Sequence, residues 1–510
     1  MNDLVLACDL GTGGLKGAIF AADGTLLAET FQRYPTYYPE PLLHEQRPAE
    51  WWDNLVRAVH DLLAQGVCGG FAASDIKAIS LSGHSLGCIP LDAGGRLLQE
   101  AVPLWSDARA QDMARRFFQI FDEDAWYLRT GNGFPAPLYP LFKIMWLREN
   151  RPDIFARTRQ ILGTKDYLNH RLTGQIATDP SYASGSGCYD LTGGHYAADI
   201  LAAARLSVEL LPPVVPSASI VGTLLPDIAN TLGLLPATAV IAGGVDNSCM
   251  ALGAQTFEDG DLFSSMGSSS WLTISASRPV LDTRVRSYAF AHLVPGQFIS
   301  ATSIFSSGTT MDWVRNRLLD KDASHADMEA CAASAPPGAR GLLLVPTLGG
   351  GTSLEGGAEV RGAYIGLSLE HGRSELARAA YEGVAYGLRV ALDELRGMTA
   401  IGKSMVTVGG GAKSAFWRQI FADILDIDVV KTSIDQEAAT LGAAAIAFKA
   451  LGLWADFTPL RSIHQIEAIS RPSPQTHATY TNGLSGYRLA AEQQHILSGP
   501  LQAYRQAANH

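Results

Sequence analysis

The sequence predicts an α/β protein made of two similar halves around a central cleft. Its 510 residues exceed the usual size of one domain, which lies near about 100 to 200 residues. Amphipathic helices alternate with short apolar strands that end in glycine-rich turns, which is typical of α/β folds. A strand, a glycine turn and a second strand occur at residues 4–20 and again at residues 260–274. This repeat indicates one fold built twice around a shared cleft.

The composition favours a small-molecule partner. The formal net charge is −11 and the pI is about 5.6, a balance that argues against binding to nucleic acid. With 47% hydrophobic and 17% charged residues, the chain can bury large cores.

The cysteines and the N-terminus indicate a cytoplasmic protein. The six cysteines are scattered and form no CxxC pair, so reduced thiols are expected. The first residues carry no basic segment before an apolar core, and no run of about 20 apolar residues occurs anywhere. We therefore expect no export signal and no membrane span.

The first hairpin is a candidate phosphate site. Residues Asp9–Lys16 read DLGTGGLK between two apolar strands. Glycines let backbone amides approach an anion closely, although the spacing matches neither a Walker A loop nor a dinucleotide fingerprint. A plain hairpin turn is the alternative. Asp9, at the end of the strand, suits Mg²⁺ held largely through water.

Two polar stretches of the first half are candidates for substrate contacts. The strand Ile76–Leu81 runs into the loop Ser82–Gly87, and ligands of such sheets bind at the carboxyl ends of strands. Further on, Trp105, Asp107 and Arg109 combine an aromatic face with hydrogen-bonding charges. The loop could equally be ordinary, and the three residues could form an ion pair where a helix starts.

Asp246 is the candidate catalytic residue. A buried strand from Ala239 ends in two glycines, and Asp246 and Asn247 follow where a helix begins. We interpret Asp246 as the group that receives a substrate hydroxyl proton in phosphoryl transfer. The alternative is that Asp246 only caps the helix, as Asp often does.

The second half contains further glycine turns that suit a nucleotide. Met266–Ser270 forms a glycine and hydroxyl turn, Ser307–Thr310 precedes a helix, and Gly409–Ser414 joins a strand to a helix. Gly410 and Gly411 lack side chains, so an adenine ring or a ribose could lie flat against the backbone there.

Several of these stretches, in this order, resemble motifs of the FGGY carbohydrate kinases. DLGTGGLK matches the first phosphate motif of the family, YPLFKIMWLREN at Tyr139–Asn150 matches its first signature, and GGGAKSAFWRQIFADIL at Gly409–Leu425 resembles its second. Asp246 falls where the family has its catalytic aspartate, and Met266–Ser268 where it has its second phosphate turn. The resemblance runs from about residue 4 to about residue 450.

The resemblance implies two actin-like (ribonuclease H-like) domains of mixed sheets flanked by helices, with a cleft between them. Residues 1–248 would form the N-terminal FGGY domain, which binds the sugar and carries the first phosphate motif. Residues 249–510 would form the C-terminal, nucleotide-binding domain. The implied reaction is ATP-dependent phosphorylation of a sugar hydroxyl. Within the family the chain is most similar to the xylulokinases, which implies conversion of D-xylulose to D-xylulose 5-phosphate; whether the chain forms a homodimer stays open.

The motifs also imply a set of site residues. Asp246 would be the base and Asp9 would lie beside Mg²⁺. The residues implied at ATP are Thr12, Gly13, Lys16, Gly267, Ser268, Gly308, Asp312, Gly410, Gly411 and Ser414. The residues implied at the sugar are Gly83, His84, Ser85, Leu86, Trp105, Asp107 and Asn247. An ordinary Asp has a pKa of about 3.9, so Asp246 is expected to orient the hydroxyl and to take its proton late.

Two departures keep other substrates open. Xylulokinases usually read Ser-Gly-Gln-Met-His-Gly where this chain has Ser82–Gly87, so that Ser85 and Leu86 replace a Met-His pair. Their Gly-Glu-Arg-Thr-Pro loop is replaced by Gly350–Ser353 with Glu355 nearby. The alternatives are a kinase of ribulose, a hexulose, gluconate, a polyol or a signalling sugar, or a non-catalytic actin-like sugar sensor that binds ATP.

Overall fold

Two mixed sheets, each flanked by helices, make up the computed structural model, which describes residues 3–304, 306–319, 322–435 and 437–508. The strands of the first half are β1 Leu4–Leu10, β2 Gly14–Ala21, β3 Leu26–Arg33, β4 Tyr37–Glu40, β5 Leu43–Gln46, β6 Ile76–Gly83, β7 Ile89–Leu91, β8 Val102–Pro103, β9 Gln160–Leu162, β10 Tyr189–Asp190, β11 His195–Tyr196, β12 Ile220–Thr223 and β13 Ala239–Val245. Those of the second half are β14 Leu262–Met266, β15 Ser270–Ala276, β16 Tyr288–Ala291, β17 Phe298–Ile304, β18 Leu343–Val345, β19 Ala363–Ile365, β20 Ser404–Val408, β21 Asp428–Thr432 and β22 Ile466–Ser470.

The helices cover the two faces of these sheets. Up to residue 253 they are α1 Pro48–Gly69, α2 Gln111–Phe117, α3 Glu123–Thr130, α4 Pro140–Asn150, α5 Pro152–Arg157, α6 Thr164–Thr173, α7 Pro180–Ala183, α8 Ala198–Ala204, α9 Pro226–Leu232 and α10 Asp246–Gly253. Beyond it they are α11 Gly308–Leu318, α12 His325–Ala333, α13 Arg373–Met398, α14 Ala415–Leu425, α15 Ala438–Ala450, α16 Pro459–Ile463 and α17 Pro474–Ala508.

The two sheets share one topology. In the first, the order is β12-β13-β6-β1-β2-β3, with β1 antiparallel to β2 and parallel to β6, and β6 parallel to β13. In the second, the order is β16-β17-β15-β14-β20-β21-β22, with β14 antiparallel to β15 and parallel to β20, and β20 parallel to β21. Each half therefore places a hairpin beside two parallel strands, as the repeated sequence pattern predicts.

Helix α15 joins the halves. It follows β21 of the second sheet in the chain, yet its apolar residues pack on β1, β6 and β13 of the first sheet. It also crosses α10 at two glycines: a Cβ on Gly442 would lie 1.9 Å from the carbonyl oxygen of Cys249, and one on Gly253 would lie 1.7 Å from that of Ala438. The absence of both side chains lets the two backbones touch.

The predicted elements are largely present, with one difference near Trp105. The alternative that a helix starts at Trp105–Arg109 is wrong, because this stretch is a turn and α2 begins only at Gln111. Over the described residues, no helix combines the length and the apolar character that crossing a membrane requires.

Candidate active site in the cleft

The carboxyl ends of three parallel strands bring the acidic candidates together. Register aligns Asp9 of β1 with Ser82 of β6, and Ser82 with Gly244 of β13. The Ser82 hydroxyl donates to Oδ1 of Asp9 at 2.6 Å. Because Val245 pairs with Gly83 one step later, Asp246 leaves the sheet at the same edge as Asp9.

A bulge at Gly243 sets the direction in which Asp246 leaves. The register between β13 and β6 shifts between Ile241 and Gly244. Gly243 has φ +77°, and a Cβ there would lie 2.1 Å from the Leu81 carbonyl oxygen. Only glycine fits this position, and bulges of this kind re-aim the residues that follow.

Asp246 is the first residue of α10, but it is not the cap of that helix. The N-cap position is Val245. The Asp246 carboxylate accepts hydrogen bonds from the Asn247 amide at 2.8 Å and from Asn247 Nδ2 at 3.1 Å, both through Oδ1. Among the described residues no group donates a hydrogen bond to Oδ2, so this oxygen is left to accept one from another group.

The pKa of Asp246 differs from the ordinary aspartate pKa that the sequence led us to expect. Burial, together with the nearby charge of Asp9, raises its pKa to about 8. Burial also raises the pKa of Asp9, against the opposing effect of the Ser82 hydrogen bond. Asp246 is therefore a stronger proton acceptor when ionised than a solvent-exposed aspartate.

A buried polar network holds the strand that carries Asp246. The Val245 amide donates to Ser181 Oγ at 2.9 Å, and Ser181 Oγ donates to Asp179 at 2.5 Å. Asp179 also pairs with Lys165 Nζ at 2.9 Å, which in turn donates to the Ala242 carbonyl at 3.0 Å. No sequence pattern predicted these residues; the charged pair Lys165-Asp166, shortly after the apolar Ile161-Leu162, is the signal that could have done so.

The sheet edge that carries Asp9 and Asp246 suits Mg²⁺ that is held mainly by phosphates and water. The described residues contain no cluster of three or more His, Cys, Asp or Glu side chains able to hold a metal. Mg²⁺ beside nucleotides usually takes one or two carboxylates and completes its shell with phosphates and water. Asp9, whose raised pKa a cation would offset, is the group that suits this role.

The hairpin that is predicted to bind phosphate is anchored on both sides of its turn. Thr12 Oγ1 accepts from Trp105 Nε1 at 3.0 Å. A Cβ on Gly13 would meet no atom within 4 Å, so the turn is open at that point. Lys16 does not project freely, because its Nζ donates to Glu437 Oε1 at 2.9 Å.

The predicted sugar loop is buried and neutral. His84 is 1% exposed, neither ring nitrogen has a hydrogen-bond partner among the residues that the structure describes, and burial lowers its pKa to about 4. Ser85 and Leu86 are also buried, and Leu86 adopts φ +60°. Lys143 Nζ supports the loop by donating to the Leu86 carbonyl at 3.2 Å, while a Cβ on Gly83 would lie 2.8 Å from Thr164 Oγ1.

Trp105 and Asp107 face different surroundings. Trp105 is 37% exposed, whereas Asp107 is fully buried. Both carboxylate oxygens of Asp107 accept hydrogen bonds from Arg109, and Oδ2 also accepts the His44 amide at 2.8 Å. The ion pair considered in the sequence analysis is present, and a direct contact of Asp107 with sugar stays a prediction.

Three aromatic side chains meet where the two halves face each other, and no sequence pattern predicted this cluster. Phe134 of the first half stacks on Tyr288 of the second with ring centroids 4.1 Å apart, and Trp271 lies 6.4 Å from Tyr288. Burial, with a smaller effect from the charge of Asp246, raises the pKa of Tyr288. A pocket of about 310 Å³ opens here between the halves.

The predicted nucleotide residues of the second half line a single pocket of about 370 Å³. Its lining includes Gly267, Ser268, Gly308, Asp312, Gly410, Gly411 and Ser414, together with Met266, Met311, His325, Glu329, Tyr381 and Trp417. Ser414 caps α14 by accepting the Trp417 amide at 3.0 Å and donates to Glu329 Oε2 at 2.6 Å. Glu329 was missed because it lies on α12, far from the glycine motifs in sequence.

Family models match most of the chain. The N-terminal domain model of the FGGY family of carbohydrate kinases covers residues 4–253, and its C-terminal domain model covers residues 262–451. The chain belongs to this family. The predicted family, the two-domain fold and an ATP-dependent carbohydrate kinase are thereby confirmed, whereas the predicted boundary between residues 248 and 249 stays a prediction.

Individual relatives of the kinase include xylulose kinases and gluconate kinases. It is 31% identical to a xylulose kinase of Bacillus subtilis over 446 residues, 87% of each chain. A gluconate kinase from Lactobacillus acidophilus has a TM-score of 0.92 at 25% identity, with 98% of this chain and 100% of that chain covered. A ligand-bound xylulose kinase from the same species has a TM-score of 0.91 at 25% identity, with 98% and 99% covered.

Proposed function

We propose that this kinase transfers the γ-phosphoryl group of ATP to D-xylulose and forms D-xylulose 5-phosphate and ADP. The observation that carries the proposal is Asp246, a carboxylate with a raised pKa at the sheet edge between the sugar loop and the second half. The xylulose kinase of B. subtilis, which is 31% identical, supports the choice of sugar.

In the proposed reaction, Asp246 accepts the proton of the sugar hydroxyl. The hydroxyl oxygen bonds to the γ-phosphorus while the bond from that phosphorus to the β-phosphate oxygen breaks, and ADP leaves. Because the transition state is loose, the protein mainly positions groups and neutralises charge. Asn247, which holds Oδ1 of Asp246, would direct Oδ2 to the hydroxyl.

The remaining groups have proposed roles that follow from their positions. The hairpin turn at Thr12 and Gly13, with Lys16, would receive the phosphates from the side of the first half. Gly267, Ser268, Gly308, Asp312, Gly410, Gly411 and Ser414 would hold ATP from the second. Mg²⁺ beside Asp9 would offset charge on the phosphates.

The sugar side would combine shape with few charges. One wall of the sugar site would be formed by Gly83, His84, Ser85 and Leu86, and the ring face of Trp105 would pack against the sugar. Asp107 would position Arg109 and the His44 backbone, from which it accepts hydrogen bonds.

The charges around the cleft favour a neutral sugar over a sugar acid. Arg109 pairs with Asp107 and Glu45 at 2.7 Å and 2.6 Å. Arg286 pairs with Glu123 and Asp124 at 3.2 Å and 2.7 Å. Lys165 likewise pairs with two buried carboxylates, at 2.6 Å and 2.9 Å. A sugar acid brings a carboxylate that needs a cation, and to use one of these three it would have to displace a carboxylate that already pairs with it.

A second candidate is a kinase of gluconate or another polyol. It is favoured by the fold match to a gluconate kinase with a TM-score of 0.92 and by Ser85 and Leu86 in the sugar loop. The family assignment argues against a non-catalytic sensor.

A substrate panel tests the proposal. The protein is mixed with Mg-ATP and D-xylulose, D-ribulose, hexuloses, gluconate or polyols, and ADP release is followed. We expect the highest kcat/KM with D-xylulose. Turnover with gluconate and none with D-xylulose would mean that gluconate, and not D-xylulose, is the substrate. Absence of ADP release with every compound would overturn the proposed reaction.

A further inference from the structure

The ion pair between Lys16 and Glu437 links the two halves at the phosphate site. Lys16 Nζ lies 2.9 Å from Glu437 Oε1 and 3.7 Å from Glu29 Oε2. The side chains of Lys16 and Glu437 are 18% and 22% exposed, whereas that of Glu29 is 53% exposed. Charges interact more strongly where less water screens them, so Glu437 is the main partner of Lys16.

The position of Lys16 places this pair beside the reaction. Lys16 lies on β2 just after the phosphate turn, and register sets it opposite Asp9 of β1. The charge of Lys16 reaches Asp9, because it opposes the effect of burial on the pKa of that carboxyl. The Lys16 ammonium therefore contributes to the electrostatics of the proposed phosphate site.

The position of Glu437 connects the pair to the nucleotide pocket. Glu437 immediately precedes α15, and its Oε2 accepts the Asp435 amide at 3.3 Å. Asp435 Oδ1 in turn accepts the Gly409 amide at 2.5 Å. Gly409 opens the turn whose next residues, Gly410 and Gly411, line that pocket.

We propose that Glu437 is a positioning residue that holds Lys16 in the nucleotide-free kinase and yields it to the phosphates of ATP. This inference rests on the proposed role of Lys16 at ATP. The phosphates of ATP carry more negative charge than one carboxylate, so they displace Glu437 from the Lys16 ammonium. Part of the binding energy of ATP is then used to break the ion pair between Lys16 and Glu437. Glu437 thus lowers the affinity for ATP and keeps the Lys16 charge paired when ATP is absent.

The test measures Mg-ATP affinity without sugar, by isothermal titration calorimetry. Glu437→Gln removes the competing charge at nearly constant shape, so we expect the Kd for Mg-ATP to fall about threefold to tenfold. Adenosine, which has no phosphates, should bind Glu437→Gln and wild type equally. Glu29→Gln is the matched control, since it removes the more exposed carboxylate near the same ammonium; we expect a change below about twofold.

A double-mutant cycle shows whether Glu437 acts through Lys16. In a Lys16→Gln background, Glu437→Gln should no longer change the Kd for Mg-ATP. Glu437→Asp, which keeps the charge, should leave the Kd for Mg-ATP close to the wild-type value, and Glu437→Ala serves as a second charge-removing variant if Glu437→Gln is unstable.

If the wild type phosphorylates a sugar, two results would overturn this inference and leave the proposed function in place. One is an unchanged or higher Kd for Mg-ATP in Glu437→Gln. The other is an equal effect of that substitution with and without Lys16. A wild-type protein that binds no Mg-ATP would overturn the proposed function and this inference together.

Discussion

Asp9 and Asp246 stand at the ends of β1 and β13, with only β6 between these strands, and the charge of Asp9 helps to raise the pKa of Asp246. The fold therefore keeps two carboxylates near each other at a partly buried edge. Such an arrangement costs stability in the free protein and suits a site that receives a cation and a proton during its reaction.

Activity should fall on the acid side of neutral pH. Asp246 accepts a proton only when ionised, and its pKa is about 8 in the free protein. We expect kcat/KM for the sugar to rise with pH, with a midpoint near pH 8 that moves to lower pH as Mg²⁺ offsets the Asp9 charge. Rates of ADP release between pH 5 and pH 9 at two Mg²⁺ concentrations measure this. A midpoint near pH 4 would contradict it.

Asp246→Asn should stop turnover and stabilise the fold. Loss of the base should slow sugar-dependent ADP release about 10²- to 10⁴-fold, while Mg-ATP still binds. The pKa of Asp246 is about 8 in the folded protein and about 3.9 for an ordinary aspartate, so between these pH values the folded wild type binds one proton more than the unfolded chain. Wild-type stability therefore declines as pH rises through that interval.

The gain in Tm from Asp246→Asn should consequently be larger at pH 8 than at pH 5, by a few degrees. Thermal unfolding at both pH values measures it. Asp53→Asn, at an exposed position of α1, should show no such difference. Near-normal turnover of Asp246→Asn would remove Asp246 from its proposed role.

Gly410→Leu should block ATP without harming the fold. A Cβ on Gly410 would meet no atom within 4 Å, yet the residue lines the pocket that we propose for the nucleotide. A side chain there takes the space proposed for adenosine, so we expect the Kd for Mg-ATP to rise at least about tenfold with little change in Tm. Gly397→Leu, also in open space but outside the pocket, is the control. Equal ATP affinity in both variants would show that adenosine does not bind beside Gly410.

Gly442→Ala should destabilise the protein. The added methyl would overlap the Cys249 carbonyl, 1.9 Å away, at the crossing of α15 and α10. We expect a loss of about 1–3 kcal/mol in the free energy of unfolding, because backbone must move to admit it. Gly397→Ala, within α13 and with no neighbour in reach, should instead gain about 0.5–1 kcal/mol. Denaturant unfolding of both variants decides; equal effects would mean that the crossing tolerates a methyl.

Exchange of the sugar loop should shift substrate preference. His84→Gln, Ser85→Met and Leu86→His together install the residues usual in xylulokinases. If the loop shapes the sugar wall, the ratio of kcat/KM between D-xylulose and the other sugars should change, while KM for ATP stays constant. An unchanged ratio across the panel would exclude the loop as a determinant of specificity.

Sequence patterns predicted the fold and the glycine turns because these depend on local periodicity and spacing. They placed Gly267, Gly308 and Gly410 in stretches that the structure brings to one pocket. They missed Glu437, which meets Lys16 across 421 positions, and Tyr288, which meets Phe134 across the cleft. They also gave Asp246 an ordinary pKa, because burial and the charge of Asp9 exist only in the folded chain.

The packing of α15 on the first sheet has a consequence for biosynthesis. The first sheet is complete once Val245 has been made, but the helix that covers β1, β6 and β13 ends only at Ala450. At about 5–20 residues per second, the ribosome needs roughly 10–40 s for that stretch. During this time the nascent chain carries an uncovered apolar face, so it is then that the polypeptide most depends on chaperones.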